Sequence, residues 1–139
     1  MSERDRPVLS QINLVVRDMP AAVDFYRRLG VEVDDTDPQW ASDHRNVAAP
    51  AGFDFDLDSS TFAAKWNEGW PKDQTGAVIG FSVVERDTVD AIYADLTGAG
   101  YVGQQPPYDA FWGARYAVVA DPDGNSVGIM SAIDPARRT

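Results

Sequence analysis

Three carboxylates recur at every second position of one short stretch, Phe53-Asp54-Phe55-Asp56-Leu57-Asp58. If the stretch is a strand, that spacing puts Asp54, Asp56 and Asp58 on one face and Phe53, Phe55 and Leu57 on the other, the pattern of a half-buried strand. Carboxylates so grouped can receive a cation or accept a proton; on a solvent-facing sheet they are only its polar side, and that is the reading for two of the three. His44 is the sole histidine and falls between predicted strands, where it reads as an exposed loop residue. With no cysteine, disulfides, thiol nucleophiles and thiolate metal sites are excluded. No nucleophilic-serine motif, phosphate-cradling glycine loop or dinucleotide fingerprint is present, so the hydrolase, kinase and dehydrogenase classes have no support.

Aromatic side chains offer a second kind of chemistry, the recognition of rings and cations. Trp66 and Trp70 flank a helix break at Gly69 and Pro71, with Phe62 just before them. Tyr108, Phe111 and Trp112 follow Pro106-Pro107 in a predicted loop that leads into a strand from Arg115. Each such contact with a ring or a cation is worth roughly 0.5–2 kcal/mol. A single tryptophan is as well explained by burial, but two aromatic clusters in Gly-, Pro- and Asp-rich loops need a partner surface, either a ligand or a second subunit.

The elements that must position these residues form a repeat. Residues 12–29 laid over 79–96 superpose Ile12 on Ile79, Leu14 on Phe81, Val16 on Val83, Tyr26 on Tyr93 and Leu29 on Leu96. Each copy begins with a period-two apolar strand and changes to a helical period. Asp18 is the predicted N-cap of the first helix, with Pro20 in its first turn and Gly30 as its stop; Asp87 is assigned the same capping part in the second. Extended segments follow at 31–34, 46–49 and 53–58 in the first copy and at 101–104, 115–120 and 126–132 in the second. Both copies therefore read as βαβββ, over about 8–58 and 78–132, joined by a 59–77 segment in which Ser59-Ser60-Thr61 caps a short helix through Trp66. Asp121-Pro122-Asp123-Gly124-Asn125 is a turn with a mechanism, since proline presets φ, the Asp and Asn side chains bond nearby backbone, and glycine takes positive φ.

At 139 residues the chain suits a single domain that buries about two-thirds of its unfolded surface. Twenty-two acidic residues against 12 basic ones give a net charge of −10, which disfavours nucleic acid and favours a cationic small ligand, beyond its plain role in solubility. No apolar run approaches the roughly 20 residues of a membrane span, and the charged N-terminal residues lack a signal core, so a cytoplasmic location is expected.

Paired βαβββ units that open with Val16-Arg17-Asp18-Met19, Phe25-Tyr26 and Leu29-Gly30 and close with Asp-Pro-Asp-Gly-Asn resemble the vicinal oxygen chelate superfamily, which includes glyoxalases, bleomycin-resistance proteins and extradiol dioxygenases. The resemblance covers about residues 8–132. It implies an α+β fold in which the tandem units form a curved mixed sheet around a cleft, often completed by a second chain, so a homodimer is expected. Metal-dependent members place one ligand on the first and one on the last strand of each unit, and the matching positions here are Gln11, Asp56, Val78 and Gly128. Val78 and Gly128 cannot ligate through a side chain and Gln11 is a poor ligand for zinc, nickel or iron, so no metal and no other cofactor is expected. The resemblance is then to the metal-free, bleomycin-resistance-like branch, which sequesters an aromatic or cationic antibiotic. It turns Asp56 into the cleft, beside Gln11 as a neutral hydrogen-bonding partner, with Arg115 at the rim to hold a carboxylate or form a salt bridge. The expected ligand set is Gln11, Asp56, Trp66, Trp70, Tyr108, Phe111, Trp112 and Arg115. The alternative is a metal-independent lyase or isomerase with Asp56 as general base and Tyr108 or His44 as acid. A degenerate metal site of Gln11, Asp56 and His44, or an interaction domain with a closed cleft, are the remaining readings.

Overall fold

A computed structural model describes residues 6–139. Seven strands form one curved mixed sheet in the order β2-β3-β1-β4-β7-β6-β5. In chain order these are β1 (Val8–Val16), β2 (His44–Val47), β3 (Asp54–Ser59), β4 (Gly76–Ser82), β5 (Gly103–Asp109), β6 (Arg115–Ala120) and β7 (Ser126–Met130). Helix α1 (Met19–Leu29) follows β1, α2 (Ser60–Trp66) follows β3 and α3 (Arg86–Gly98) follows β4.

The repeat seen in the sequence meets itself at the middle of the sheet. β1 and β4 pair antiparallel with Ile12 opposite Ile79, while each pairs parallel on its other side, β1 with β3 and β4 with β7. Alternation then assigns the faces. Leu14, Val16, Phe55 and Leu57 go to the outer face, under Met19 and Val23 of α1; Val83, Ala117, Val119 and Ile129 do the same under Val89 of α3. Burying each of these larger aliphatic side chains stabilises the fold by roughly 1.5–3 kcal/mol. Helix α1 starts and stops where its caps dictate: Asp18 accepts from the Ala21 amide at 3.1 Å, and Gly30 at φ 105° returns its amide to the carbonyls of the last turn.

Several boundaries depart from the sequence expectation. Residue Glu85, not Asp87, occupies the N-cap of α3, and Asp87 lies in the first turn, where a carboxylate still favours the helix N-terminus. The 31–34 segment is not a strand; Val33 makes a single bridge to Val47. The fifth strand spans 103–109 rather than 101–104 and runs through Pro106 and Pro107, which it tolerates because it lies at the sheet edge and its register shifts between Gln105 and Tyr108. His44 is not in a loop but opens β2, directly opposite Asp58. Among the described residues, no helix is long and apolar enough to cross a membrane.

Candidate functional site

On the inner face of the sheet lies a cavity of about 710 Å³. One wall is polar and comes from three neighbouring strands: Gln11 and Asn13 of β1, Asp54, Asp56 and Asp58 of β3, and His44 and Asn46 of β2. All three aspartates face the cavity, so the expectation that two of them form the solvent side of a sheet is corrected. The reason is register: β3 sits inside the sheet between β1 and β2, and its even-numbered positions share the face of Gln11 and Asn13.

Hydrogen bonds order this wall into two groups. Gln11 Nε2 donates to Asp56 Oδ2 at 3.1 Å. Asp58 is completely buried and receives Asn13 Nδ2 at 2.8 Å on one oxygen and His44 Nδ1 at 2.5 Å on the other. Desolvation pushes the Asp56 carboxyl up from 3.8 to about 6, with the Asp58 and Asp54 charges adding to the rise and His44 and Gln11 opposing it. Burial works to lower the His44 imidazole, but its hydrogen bond to Asp58 and the charges of Asp58 and Asp56 outweigh that, and His44 titrates above 6.5. The wall thus sets a histidine whose hydrogen bond to Asp58 favours its protonated form beside Asp56, a poorly solvated carboxyl that holds its proton more readily than an ordinary aspartate.

The facing wall is aromatic. Phe62 and Trp66 come from α2, whose first turn is capped by Ser59 Oγ accepting from the Phe62 amide at 3.0 Å. Phe111 and Trp112 come from the turn between β5 and β6, and Tyr116 from β6. These rings meet edge to face: Phe111 with Trp112 at 5.1 Å, Trp112 with Tyr116 at 5.4 Å and Trp66 with Tyr116 at 6.1 Å between centroids. Trp112 Nε1 donates to Met130 Sδ at 3.1 Å, and Phe62 lies 5.4 Å from the His44 ring, so the aromatic wall adjoins the polar one. Ile133, Arg138 and Thr139 also line the cavity, as do Val47 and Phe55; Asp134 N donates to the Gly113 carbonyl and Thr139 N to the Phe111 carbonyl, which fastens that segment beside the aromatic turn.

Of the residues expected at the site, Gln11, Asp56, Trp66, Phe111 and Trp112 line this cavity, together with His44. Trp70, Tyr108 and Arg115 do not. Trp70 is core, with its indole N–H donated to the Gln74 carbonyl at 2.9 Å. Tyr108 packs behind Trp112 and Tyr116 and donates to the Trp66 carbonyl at 3.2 Å, and burial drives its phenol pKa upward. Arg115 turns to the outer face, where it binds Asp90 of α3 at 2.9 Å and Asp109 at 3.2 Å; Arg86 also pairs with Asp109. Sequence reasoning missed Asn13 and Tyr116. Asn13 shares the period-two face of Gln11, and Tyr116 is two residues from the aromatic turn, so alternation alone points to the first and nothing local to the second.

The four positions matched to the metal ligands of the resemblance fit no metal here. Gln11 and Asp56 bond to each other, and Val78 is completely buried among apolar side chains. A Cβ at Gly128 would stand 2.7 Å from the Tyr116 hydroxyl, so the tyrosine already fills the space that a ligand side chain at 128 would need. Among the described residues, no group of three or more His, Cys, Asp or Glu side chains is placed to hold a metal ion.

Comparison with known proteins agrees with this architecture. The chain is similar to the NAD-dependent benzaldehyde dehydrogenase structure from Legionella pneumophila, at 19% identity over 87% of this chain and 96% of that one, with a TM-score of 0.62. It is similar to the Mn(II)-bound glyoxalase from Novosphingobium aromaticivorans, at 20% identity over 92% of this chain and 39% of that one, TM-score 0.62. Homoprotocatechuate 2,3-dioxygenase from Arthrobacter globiformis matches at 15% identity over 94% of this chain and 38% of that one, TM-score 0.65. The chain therefore spans about two-fifths of each of the latter two, and at these identities the likeness is one of fold. No curated protein sequence matches the chain. Residues 8–129 match the family model, and the chain belongs to the Glyoxalase/Bleomycin resistance protein/Dioxygenase superfamily.

Proposed function

We propose that this protein is a metal-independent small-molecule binder of the bleomycin-resistance type, whose ligand presents a positive charge and a planar ring and is an antibiotic that the protein sequesters. The observation that carries this reading is the facing of an acidic strip, Asp54 and Asp56, against the Trp66, Phe111, Trp112 and Tyr116 rings within one cavity of about 710 Å³. That volume suits a drug-sized molecule. Asp56 supplies the charge partner for an amine, and edge-to-face rings supply a surface for stacking and cation–π contact. Sequestration requires affinity and no catalytic group.

The test is tryptophan-fluorescence titration with a panel of cationic glycopeptide and planar aromatic antibiotics, alongside elemental analysis of the protein. Trp66 and Trp112 line the cavity, so binding quenches their emission. Asp56→Asn is expected to weaken a cationic ligand by about 1–3 kcal/mol; an unchanged dissociation constant would remove Asp56 from the site. One zinc, nickel, manganese or iron per chain would overturn metal independence.

A further inference from the structure

We infer that the polar wall is also a proton-transfer centre, in which Asp56 takes a proton from a carbon acid lying on the aromatic wall while His44, oriented by Asp58, serves the atom that gains electron density. This rests on the binding reading above and adds an activity to it.

Four observations converge. Asp58 is completely buried, yet both of its oxygens are used, one by Asn13 at 2.8 Å and the other by His44 Nδ1 at 2.5 Å. A buried carboxylate on Nδ1 fixes the ring and its tautomer and leaves Nε2 as the position for proton exchange with a bound molecule. The ring also lies against Phe62, at 5.4 Å between centroids, so it is held by packing as well as by its hydrogen bond. Asp56 accepts a hydrogen bond from a neutral amide, Gln11, inside a cavity with an aromatic wall, and a carboxylate so sparingly solvated is a stronger base than one in water. The other ionisable groups lining the same space are Asp54, Asp58, Tyr116 and Arg138, and the Tyr116 phenol is held protonated by its burial. If the histidine and aspartate pair served only to tie β2 to β3, neither its opening onto the cavity nor the second carboxylate beside it would be required.

A suitable probe is 5-nitrobenzisoxazole, a planar aromatic carbon acid. Loss of its ring C–H proton to Asp56 turns the C–H electron pair into the third bond of a nitrile as the N–O bond breaks, leaving the pair on a phenolate oxygen that His44 hydrogen-bonds. Atoms and electrons balance without water, oxidant or metal. Ring opening is followed by absorbance with the full chain, and binding of the same probe by tryptophan quenching. The wild type is expected to open the probe with saturation, and Asp56→Asn to lower kcat about 10²-fold with the quenching Kd within about twofold; His44→Gln lowers kcat by less. Equal kcat in the wild type and Asp56→Asn, a rate no greater than that of acetate at the same concentration, or a probe that neither quenches nor opens would overturn the inference. In each of those cases quenching by the antibiotic panel stands or falls separately, and its complete absence overturns the binding reading instead.

Discussion

The two halves of the sheet carry the same outer face and opposite inner ones. Register relates them position by position: β1, β2 and β3 correspond to β4, β6 and β7, so Gln11 answers to Val78, Asn13 to Gly80, His44 to Tyr116, Asp56 to Gly128 and Asp58 to Met130. Outside, apolar residues face apolar counterparts, because each half must bury one helix. Inside, a set of amides, carboxylates and an imidazole is matched by valine, glycine, methionine and a tyrosine. Helix packing constrains the outer face in both halves alike, whereas the inner face is free to differ, and the difference creates a cleft with one charged and one aromatic wall.

Three experiments would break or sharpen that contrast. The largest effect is expected from Asp58→Ala, which strips the buried hydrogen-bonding centre from the polar half and leaves Asn13 and His44 facing a void. A loss of about 3 kcal/mol in urea denaturation is expected, with the m-value unchanged. A loss below about 0.5 kcal/mol would mean that this half is no more committed to its polar network than a surface patch.

The second concerns pH. The folded-state value of Asp56 lies above 3.8, at about 6, so its ionised form costs stability above that value and the cost is relieved as pH falls from about 6 toward 3.8. The raised value of His44 acts in the same direction: its contribution is full below 6.5 and is lost as pH rises through the folded-state value. Asp56→Asn is expected to stabilise the ligand-free protein at pH 7 by about 2–3 kcal/mol and to flatten the slope between pH 4 and 6, measured by denaturation across that range. A slope identical to that of the wild type would place the burial cost elsewhere. The smallest effect is expected in the aromatic half, where Gly128→Ala drives a methyl group into the Tyr116 phenol and costs about 1–2 kcal/mol in thermal denaturation. A neutral outcome would show that the tyrosine can move aside and that the space over position 128 is open to a longer side chain.

How much of this was legible beforehand depends on whether the signal is local. The repeat, the Asp18 and Gly30 caps and the 115–120 strand rest on periodicity and capping within a few residues, and all are present in the fold. The sequence reading puts Gln11, Asp56, Trp66, Phe111 and Trp112 in one ligand set, and all five line the same cavity. In sequence His44 reads as a loop residue because it precedes the segment, 46–49, that reads as extended; only the register with β3 sets it on Asp58. Trp70 and Trp66 look equivalent in sequence and both are buried in the same core cluster, but the chain turns after α2 and only Trp66 also borders the cavity. Arg115 failed as a rim cation for a similar reason, since a one-residue step along β6 separates the inner face of Tyr116 from the outer face that meets Asp90.

The prolines of β5 bear on how copies of this chain can meet. An exposed strand edge is a template for another strand, and proteins that end a sheet in the open risk growing into ladders and fibrils. Here one margin carries Pro106 and Pro107, which have no amide hydrogen to offer, beside a break in register; the other is a four-residue strand whose Val47 already bridges to Val33. Neither margin offers an unbroken run of backbone donors and acceptors to an eighth strand, and both therefore carry features that discourage the cross-β route to aggregation.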